Sequence, residues 1–193
     1  EYALARTERK TGVGHKDFQF NFSPNVTLEE DLERRDLTIN SMALDENGNL
    51  IDPFNGAKDI ENKCFRPVSQ AFFEDPLRAL RVARFKAQFP EFFLHESMEQ
   101  ALFKISASNE LLNLSSERVW GEVVKGLGHD FHQFLQIIKN YNLHEPWFNK
   151  LSKIPDINSD IAEIKWCEVS QANEFKFAMC LDIPKSYSKQ LLL

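Results

Sequence analysis

Two short segments of the chain carry side chains that could bind phosphate or read a nucleotide base. The first, Arg34–Asn40, opens with two arginines and an aspartate. The second, Glu74–Arg84, places an aspartate and a proline before arginines at every third position, 78, 81 and 84. Residues three apart lie along one side of a helix, so these guanidiniums repel one another unless an anion lies beside them. A triphosphate or an RNA backbone is the anion that such a stripe favours.

Composition restricts how an anion could be bound. The 193 residues carry a net charge of −6, so phosphate contacts must come from a local cluster and not from a generally basic surface. The three cysteines, Cys64, Cys167 and Cys180, are far apart, odd in number and without zinc-site spacing. We interpret them as reduced, mostly buried thiols of a cytoplasmic protein. No apolar run approaches the roughly 18 residues of a membrane span.

The two ends of the chain are interpreted as cut. Glu1 opens directly into a strand-like segment, and the chain stops in the apolar residues Leu191–Leu193, which are typical of a core helix that continues. The sequence is therefore expected to be a fragment of a longer protein.

The pattern before residue 70 predicts a mixed α/β region. A strand is expected over residues 1–8 and a loop over 9–26, with a short extended piece at 18–22. Thr27 and Glu30 form a capping-box pattern, and the helix that follows is expected to continue through Arg34, Arg35 and Asp36 toward Met42. Further predictions are a tight turn at 45–49, a helical turn at 57–62 and a last strand at 64–68.

The pattern after residue 75 is helical throughout. Asp75 is a good N-cap and Pro76 occupies the first helical position, where proline is favoured. Helices are predicted from there to about 89 and at about 95–107, 116–127, 130–141 and 171–182. The predicted fold class is α+β, mostly α. It combines a partial head at 1–70, neck helices at 71–128 and a helical body at 129–193.

Three motifs in order resemble those of the class II tRNA nucleotidyltransferases, the CCA-adding enzymes, and of bacterial poly(A) polymerases. Leu28–Ala43 resembles their RRD motif, Asp52–Ile60 their next motif, and Glu74–Phe85 their EDxxRxxR motif. The resemblance implies a nucleotidyltransferase that adds C, C and A to the 3′ end of tRNA from CTP and ATP without a nucleic-acid template. Taken alone, the third segment would also fit a solvated helix that Asp75 merely caps.

The resemblance implies a role for each matching side chain. Asp75 would accept from the exocyclic amine of cytosine or adenine, and Arg78 would donate to the neighbouring ring position. Uracil and guanine present a carbonyl where the amine should be, which would leave two acceptors facing each other. Three arginines match the positions for triphosphate contacts or for the junction of helix and head: Arg35, Arg81 and Arg84. Arg34 and Asp36 would support them, with Asp36 pairing with an arginine or capping a helix and binding no metal.

Family catalysis uses two Mg²⁺ ions held by an Asp-x-Asp motif after a Gly-Ser turn. Neither motif occurs in this sequence, so the ligands are expected upstream and the fragment alone should be inactive. Glu8 is either an auxiliary carboxylate or an ordinary charge at a strand end. The segment after Glu8, with Arg9, Lys10, His15 and Lys16, is either a moving loop of the family type or a solvated basic loop.

Several alternatives stay open at this stage. A bacterial poly(A) polymerase shares the motifs, although Met42–Leu44 and the non-basic end favour the CCA-adding branch. A non-catalytic RNA- or nucleotide-binding module and a purely structural helical domain are the other readings. His129 and Asp130 could suggest a metal-dependent phosphohydrolase, but Asp130 fits better as a helix N-cap, and His95 and His144 read as surface or packing residues. The expected partners are tRNA, CTP and ATP.

Overall fold

The computed structural model describes residues 7–10, 18–21 and 26–148. Contacts divide the chain into two compact units, the first comprising Glu1–Ala79 and Glu91–Leu114 and the second comprising Leu80–Pro90 and Ser115–Leu193. The predicted fold class, α+β and mostly α, is confirmed. The predicted helix at 171–182, Cys167, Cys180 and the loop residues His15 and Lys16 lie outside the described residues.

The strands are short and pair two by two. Antiparallel pairs join β1 (Thr7–Lys10) to β2 (Phe18–Asn21) and β3 (Ala43–Leu44) to β4 (Leu50–Ile51), while β5 (Cys64–Phe65) runs parallel to β6 (Phe93–Leu94). The predicted turn at 45–49 is confirmed, because Asp45 accepts from the backbone N–H groups of Asn47 and Asn49. Two predictions were wrong. Arg9 and Lys10 lie in β1 and not in a loop, and β6 interrupts the region predicted to be entirely helical.

In the described part of the first unit the α-helices are α1 (Leu28–Glu33), α2 (Gly56–Glu61) and α4 (Glu96–Ser108), with 3₁₀ turns at Thr38–Asn40, Gln70–Glu74 and Glu110–Asn113. The capping box of Thr27 and Glu30 is confirmed. The prediction that α1 continues toward Met42 was wrong. Arg34 ends α1, and Leu37 is extended, with φ −123° and ψ 145°, because it bridges to Pro67.

Between residues 26 and 148 the other helices are α3 (Leu77–Gln88), whose residues fall partly in the first unit and partly in the second, α5 (Ser116–Leu127) and α6 (Phe131–Asn140). Their bounds agree with prediction to within one residue. Asp75 accepts from the backbone N–H of Leu77 at 3.2 Å, which confirms it as a side-chain cap of α3. Ser115 and Asp130 occupy the N-cap positions predicted for them, but neither side chain makes a capping hydrogen bond.

Each unit has its own aromatic core. In the first, Phe65 stacks on Phe92 with 4.9 Å between ring centroids, and Phe72 is fully buried. In the second, Phe131 stacks on Phe134 at 4.9 Å beneath α5. Aromatic pairs of this kind contribute about 0.5–1.5 kcal/mol beyond the apolar area that they bury. Among the described residues, no helix is both long and apolar enough to cross a membrane.

Candidate functional site

The two arginines of the RRD segment lie where α1 ends, and the buried carboxylate of Asp31 holds both. Arg34 donates Nε and Nη2 to Oδ1 of Asp31 at 3.1 and 2.5 Å. Arg35 donates Nη2 to Oδ2 of Asp31 at 3.3 Å and Nη1 to the carbonyl oxygen of Asn40 at 3.0 Å. The side chain of Arg35 is 43% exposed, against 21% for Arg34. Of the two guanidiniums, that of Arg35 is therefore the better placed to meet a ligand.

Asp36 stabilises the turn that follows. Its Oδ1 accepts from the backbone N–H of Leu37 at 2.9 Å and from the side-chain amide of Asn40 at 3.1 Å. The hydroxyl of Ser41 donates to the carbonyl of Leu37, which closes the turn on its other side. Asp36 is buried. These contacts fix the backbone between the two arginines and Asn40, and the supporting role of Asp36 in ligand binding stays a prediction.

The second motif packs directly against that turn. Asp52 accepts from the backbone N–H groups of Gly56 at 2.7 Å and Ala57 at 2.9 Å, so it holds the start of α2. A Cβ added to Gly56 would lie only 2.2 Å from the carbonyl oxygen of Thr38. Glycine is required here because the backbone of α2 touches the backbone of the 3₁₀ turn. The motif therefore positions the arginine segment.

A buried polar chain leads away from the same turn. Thr38 donates its hydroxyl to Oδ2 of Asp59 at 2.7 Å, and Arg66 donates Nε to the same oxygen at 3.0 Å. Nη1 of Arg66 lies 2.7 Å from Nε2 of His95, whose Nδ1 lies 2.8 Å from the hydroxyl of Ser97. The Asp59 carboxylate raises the pKa of Arg66 by hydrogen bonding. Arginine has no acceptor, so Nε2 of His95 is the acceptor in this contact. Nδ1 of His95 accepts from the backbone N–H of Ser97 at 3.2 Å, so the histidine also caps the start of α4.

The predicted base-reading pair, Asp75 and Arg78, lies at the start of α3 and belongs to the first unit. Asp75 caps the helix, and one turn later Arg78 donates Nη2 to the carbonyl of Arg34 at 2.6 Å. Nη1 of Arg78 donates to the carbonyl of Ala71 at 2.7 Å and lies 3.5 Å from that of Arg35. The backbone of the RRD segment thus fixes the plane of the Arg78 guanidinium. No sequence pattern indicated this contact, because backbone carbonyls leave no residue-type signature.

Arg81 and Arg84 belong to the second unit. The guanidinium of Arg84 lies 3.9 Å from the ring centroid of Phe85 and donates Nε to Oε2 of Glu122 on α5 at 2.6 Å. Glu122 is buried, and the side chain of Arg84 is 12% exposed. The guanidinium of Arg81 lies 5.7 Å from the same ring. Arg84 is thus bonded within the helical unit, and its predicted contact with a triphosphate or with the helix–head junction stays a prediction.

A metal site is not formed by the described residues. Within residues 7–10, 18–21 and 26–148, no group of three His, Cys, Asp or Glu side chains is close enough to hold an ion. Glu8 lies in β1 opposite Phe20. His129 and Asp130 follow the end of α5 and have no metal-binding partners in this part of the chain.

A cleft of about 940 Å³ opens on the first unit, between the end of α1, the segment 66–74 and α4. Arg34 lines it, whereas Asp75 and Arg78 do not. Its charged lining mixes three carboxylates with three cations: Glu30, Glu33, Glu74, Arg34, Arg66 and Lys104. Carboxylates repel a polyanion at close range, so this cleft suits a triphosphate less well than the Arg35 and Arg78 region.

Two carboxylates that organise the site were missed from the sequence. Asp31 lies three and four residues before the arginines that it binds, a helical spacing that could have revealed it. Asp59 could not have been found in this way, since its partners Thr38 and Arg66 are 21 and 7 residues away.

The order of the elements and the three motifs resemble those of the nucleotidyltransferase class. The model of the poly A polymerase head domain matches residues 1–66. The chain is 51% identical over 154 residues to the Multifunctional CCA protein of Pseudoalteromonas atlantica, covering 78% of this chain and 38% of that protein. With the Multifunctional CCA protein of Hahella chejuensis it shares 40% identity over 208 residues, covering 98% of this chain and 49% of that protein.

A solved structure agrees with these similarities. The crystal structure of the Bacillus stearothermophilus CCA-adding enzyme in complex with CTP matches with a TM-score of 0.59 and 32% identity, over 75% of this chain and 36% of that one. The chain belongs to the class II CCA-adding enzyme family, as the three motifs predicted. It spans less than half the length of each of these relatives.

Proposed function

We propose that this chain is the nucleotide-selecting part of a tRNA nucleotidyltransferase that adds C, C and A to the 3′ end of tRNA. In this reaction the tRNA 3′-hydroxyl attacks the α-phosphorus of CTP or ATP, the bond to the β-phosphate breaks and pyrophosphate leaves. The observation that carries the proposal is the pair formed by Asp75 and Arg78 at the start of α3. Arg78 is held there by the carbonyls of Arg34 and Ala71.

The capping contact of Asp75 is compatible with base reading. A carboxylate has about four lone-pair sites, and the bond from Leu77 uses one of them at Oδ1. The amine of cytosine or adenine would donate to the carboxylate, and Arg78 would donate to the adjacent ring atom. A base that presents a carbonyl in place of the amine would leave a desolvated acceptor unpaired, which costs about 1–3 kcal/mol.

Arg35, Arg81 and Arg84 are proposed to contact the triphosphate or to join the nucleotide-bearing helix to the head, with Arg34 and Asp36 as supports. The fixed guanidinium of Arg35 supports the first role, because arginine binds phosphate with two parallel N–H bonds and keeps its charge. Residues 1–70, 71–128 and 129–193 are proposed as partial head, neck and body.

Mg²⁺ is the metal that we propose for the intact enzyme, with ligands outside the described residues. The described side chains do not fit a metal, so the steps assigned here to this chain are selection and orientation of the nucleotide. A fragment without the metal ligands is expected to bind nucleotide without transferring it. The substrate tRNA implies a cytoplasmic enzyme.

The test is nucleotide binding by the chain and by its native full-length protein, using CTP, ATP, UTP and GTP. CTP and ATP should bind, UTP and GTP should not, and Asp75→Ala should abolish the preference. Glu61→Gln, which changes an exposed carboxylate on α2, is the matched control. Equal binding of all four nucleotides, or a preference that survives Asp75→Ala, would contradict the proposal.

The poly(A) alternative is separated by product length. With a tRNA that lacks its 3′ end, the full-length protein should add three nucleotides from CTP and ATP and then stop. Long adenosine tails made from ATP alone would identify the poly(A) branch.

A further inference from the structure

We infer that Asp31 is the positioning residue of the nucleotide site, which orients Arg35 toward the phosphates before a nucleotide arrives. This inference rests on the proposed function. Asp31 is 7% exposed. Each of its two carboxylate oxygens accepts hydrogen bonds from a different arginine. Oδ1 binds Arg34 through two N–H groups, and Oδ2 binds Arg35 through one.

The need for such a residue follows from charge. Two adjacent guanidiniums at the end of a short helix repel each other, and one buried carboxylate within reach of both removes most of that repulsion. Asp31 is at the helical spacing, three and four residues earlier, from which both side chains can be reached. Without it, Arg34 and Arg35 would separate in the absence of an anion.

The two arginines are held to different degrees. Arg34 is bound through Nε and Nη2 and is the less exposed. Arg35 is bound by one N–H to Asp31 and by one N–H to the carbonyl of Asn40, and its side chain is 43% exposed. Asp31 thus holds Arg34 against the fold. It also fixes the direction of Arg35, whose side chain stays accessible to a ligand.

Orienting Arg35 before a nucleotide binds should change the affinity for the nucleotide more than the rate of nucleotide transfer. A free arginine loses several rotamers when it binds phosphate, and a pre-oriented guanidinium loses fewer. The two arginines that Asp31 binds are proposed to meet phosphate and not the base, so its effect should be equal for CTP and ATP. The expected signature is a change in KM that leaves kcat and base preference nearly unaltered.

The experiment is a double-mutant cycle in the native full-length protein, with CTP or ATP and a tRNA that lacks its 3′ end. Asp31→Asn should raise KM for both nucleotides about tenfold and change kcat by less than about threefold. In an Arg35→Ala background the same substitution should change KM by less than about twofold, since the side chain that it orients is gone. Asp31→Glu should recover part of the loss, and Glu29→Gln, an exposed carboxylate on the same helix, should have no effect.

Several results would overturn the inference. An unchanged KM in Asp31→Asn would do so, as would an equal rise in KM with and without Arg35, which would indicate a general effect on folding. If Asp31→Asn does not fold, as judged by its melting transition, the same cycle is run with Asp31→Glu, for which a smaller rise in KM is expected, and that rise should again be absent in the Arg35→Ala background. A wild-type protein that turns over neither CTP nor ATP would refute the proposed function itself, and this inference with it.

Discussion

Arg84 on α3 and Glu122 on α5 form a largely buried ion pair, with 2.6 Å between Nε and Oε2 and side chains that are 12% and 5% exposed. Lys125 reaches the other carboxylate oxygen at 3.2 Å, but its own side chain is 60% exposed. The guanidinium of Arg84 also lies over the ring of Phe85. Arg84 therefore has a structural role inside the helical unit, whatever it contacts when a nucleotide is bound.

Glu122→Ala should lower the free energy of unfolding by about 3 kcal/mol, because it leaves the guanidinium of Arg84 buried without its counter-charge. Denaturant unfolding measures this change. The double variant Arg84→Met/Glu122→Leu should recover most of the loss, since apolar side chains of similar volume replace both charges. Glu117→Ala, an exposed carboxylate on α5, is the control. A loss below about 1 kcal/mol in Glu122→Ala would show that the pair is well solvated.

Arg78→Lys should separate base reading from structure. Lysine keeps the charge but cannot donate in a fixed plane to the carbonyls of Arg34 and Ala71. We expect the free energy of unfolding to fall by about 1–2 kcal/mol and the preference for CTP and ATP over UTP to disappear. Calorimetry of nucleotide binding, with thermal unfolding of the same sample, measures both. Loss of stability with intact base preference would assign Arg78 to the fold alone.

Gly56→Ala should be strongly destabilising, by about 3 kcal/mol, since the new methyl group would collide with the carbonyl of Thr38 and neither backbone can move cheaply. The matched control is Gly121→Ala, because that helical glycine has no atom within 4 Å of the added methyl. The control should gain up to about 1 kcal/mol from helix propensity. Denaturation curves of both variants test the pair, and similar values for the two would contradict the contact between α2 and the 3₁₀ turn.

Local signals in the sequence predicted most of the helical fold. The Thr27 capping box, the Asp75–Pro76 start and the 3.6-residue periodicity of the later helices act within a few residues, so a single sequence contains them. The end of α1 was not predictable in this way. Arg34, Arg35 and Leu37 do not disfavour a helix, and the bridge from Leu37 to Pro67 ends it through a partner 30 residues away.

The same difference between local signals and long-range contacts applies to the candidate site. The residues that match the family motifs were found by type and spacing, whereas what those residues bind was not. Arg78 bonds to carbonyl oxygens, Thr38 to Asp59, and Arg84 to Glu122, 38 residues away. Such contacts depend on tertiary packing, which no pattern within one helix determines.

Burial raises the pKa of the Cys64 thiol above its ordinary value of 9.0, and the nearby Asp59 carboxylate adds to the effect. The folded state therefore keeps this proton at a pH at which the unfolded chain begins to release it. The stabilisation is fully present below pH 9.0 and is lost as pH rises through the raised pKa of the folded thiol. Stability should consequently fall above pH 9.0, by at most about 1.4 kcal/mol for each pH unit from this one group.

Cys64→Ala isolates the contribution of the thiol from those of lysine and tyrosine side chains that titrate in the same range. The stability difference between wild type and Cys64→Ala, measured by denaturant unfolding from pH 8 to 10.5, should be constant at first and then shrink as pH rises. Alkylation of Cys64 by iodoacetamide, followed by peptide mass spectrometry, should lag behind that of the unfolded chain at every pH, because the thiolate is the reactive form. A stability difference that grows with pH would mean that the folded protein favours the thiolate.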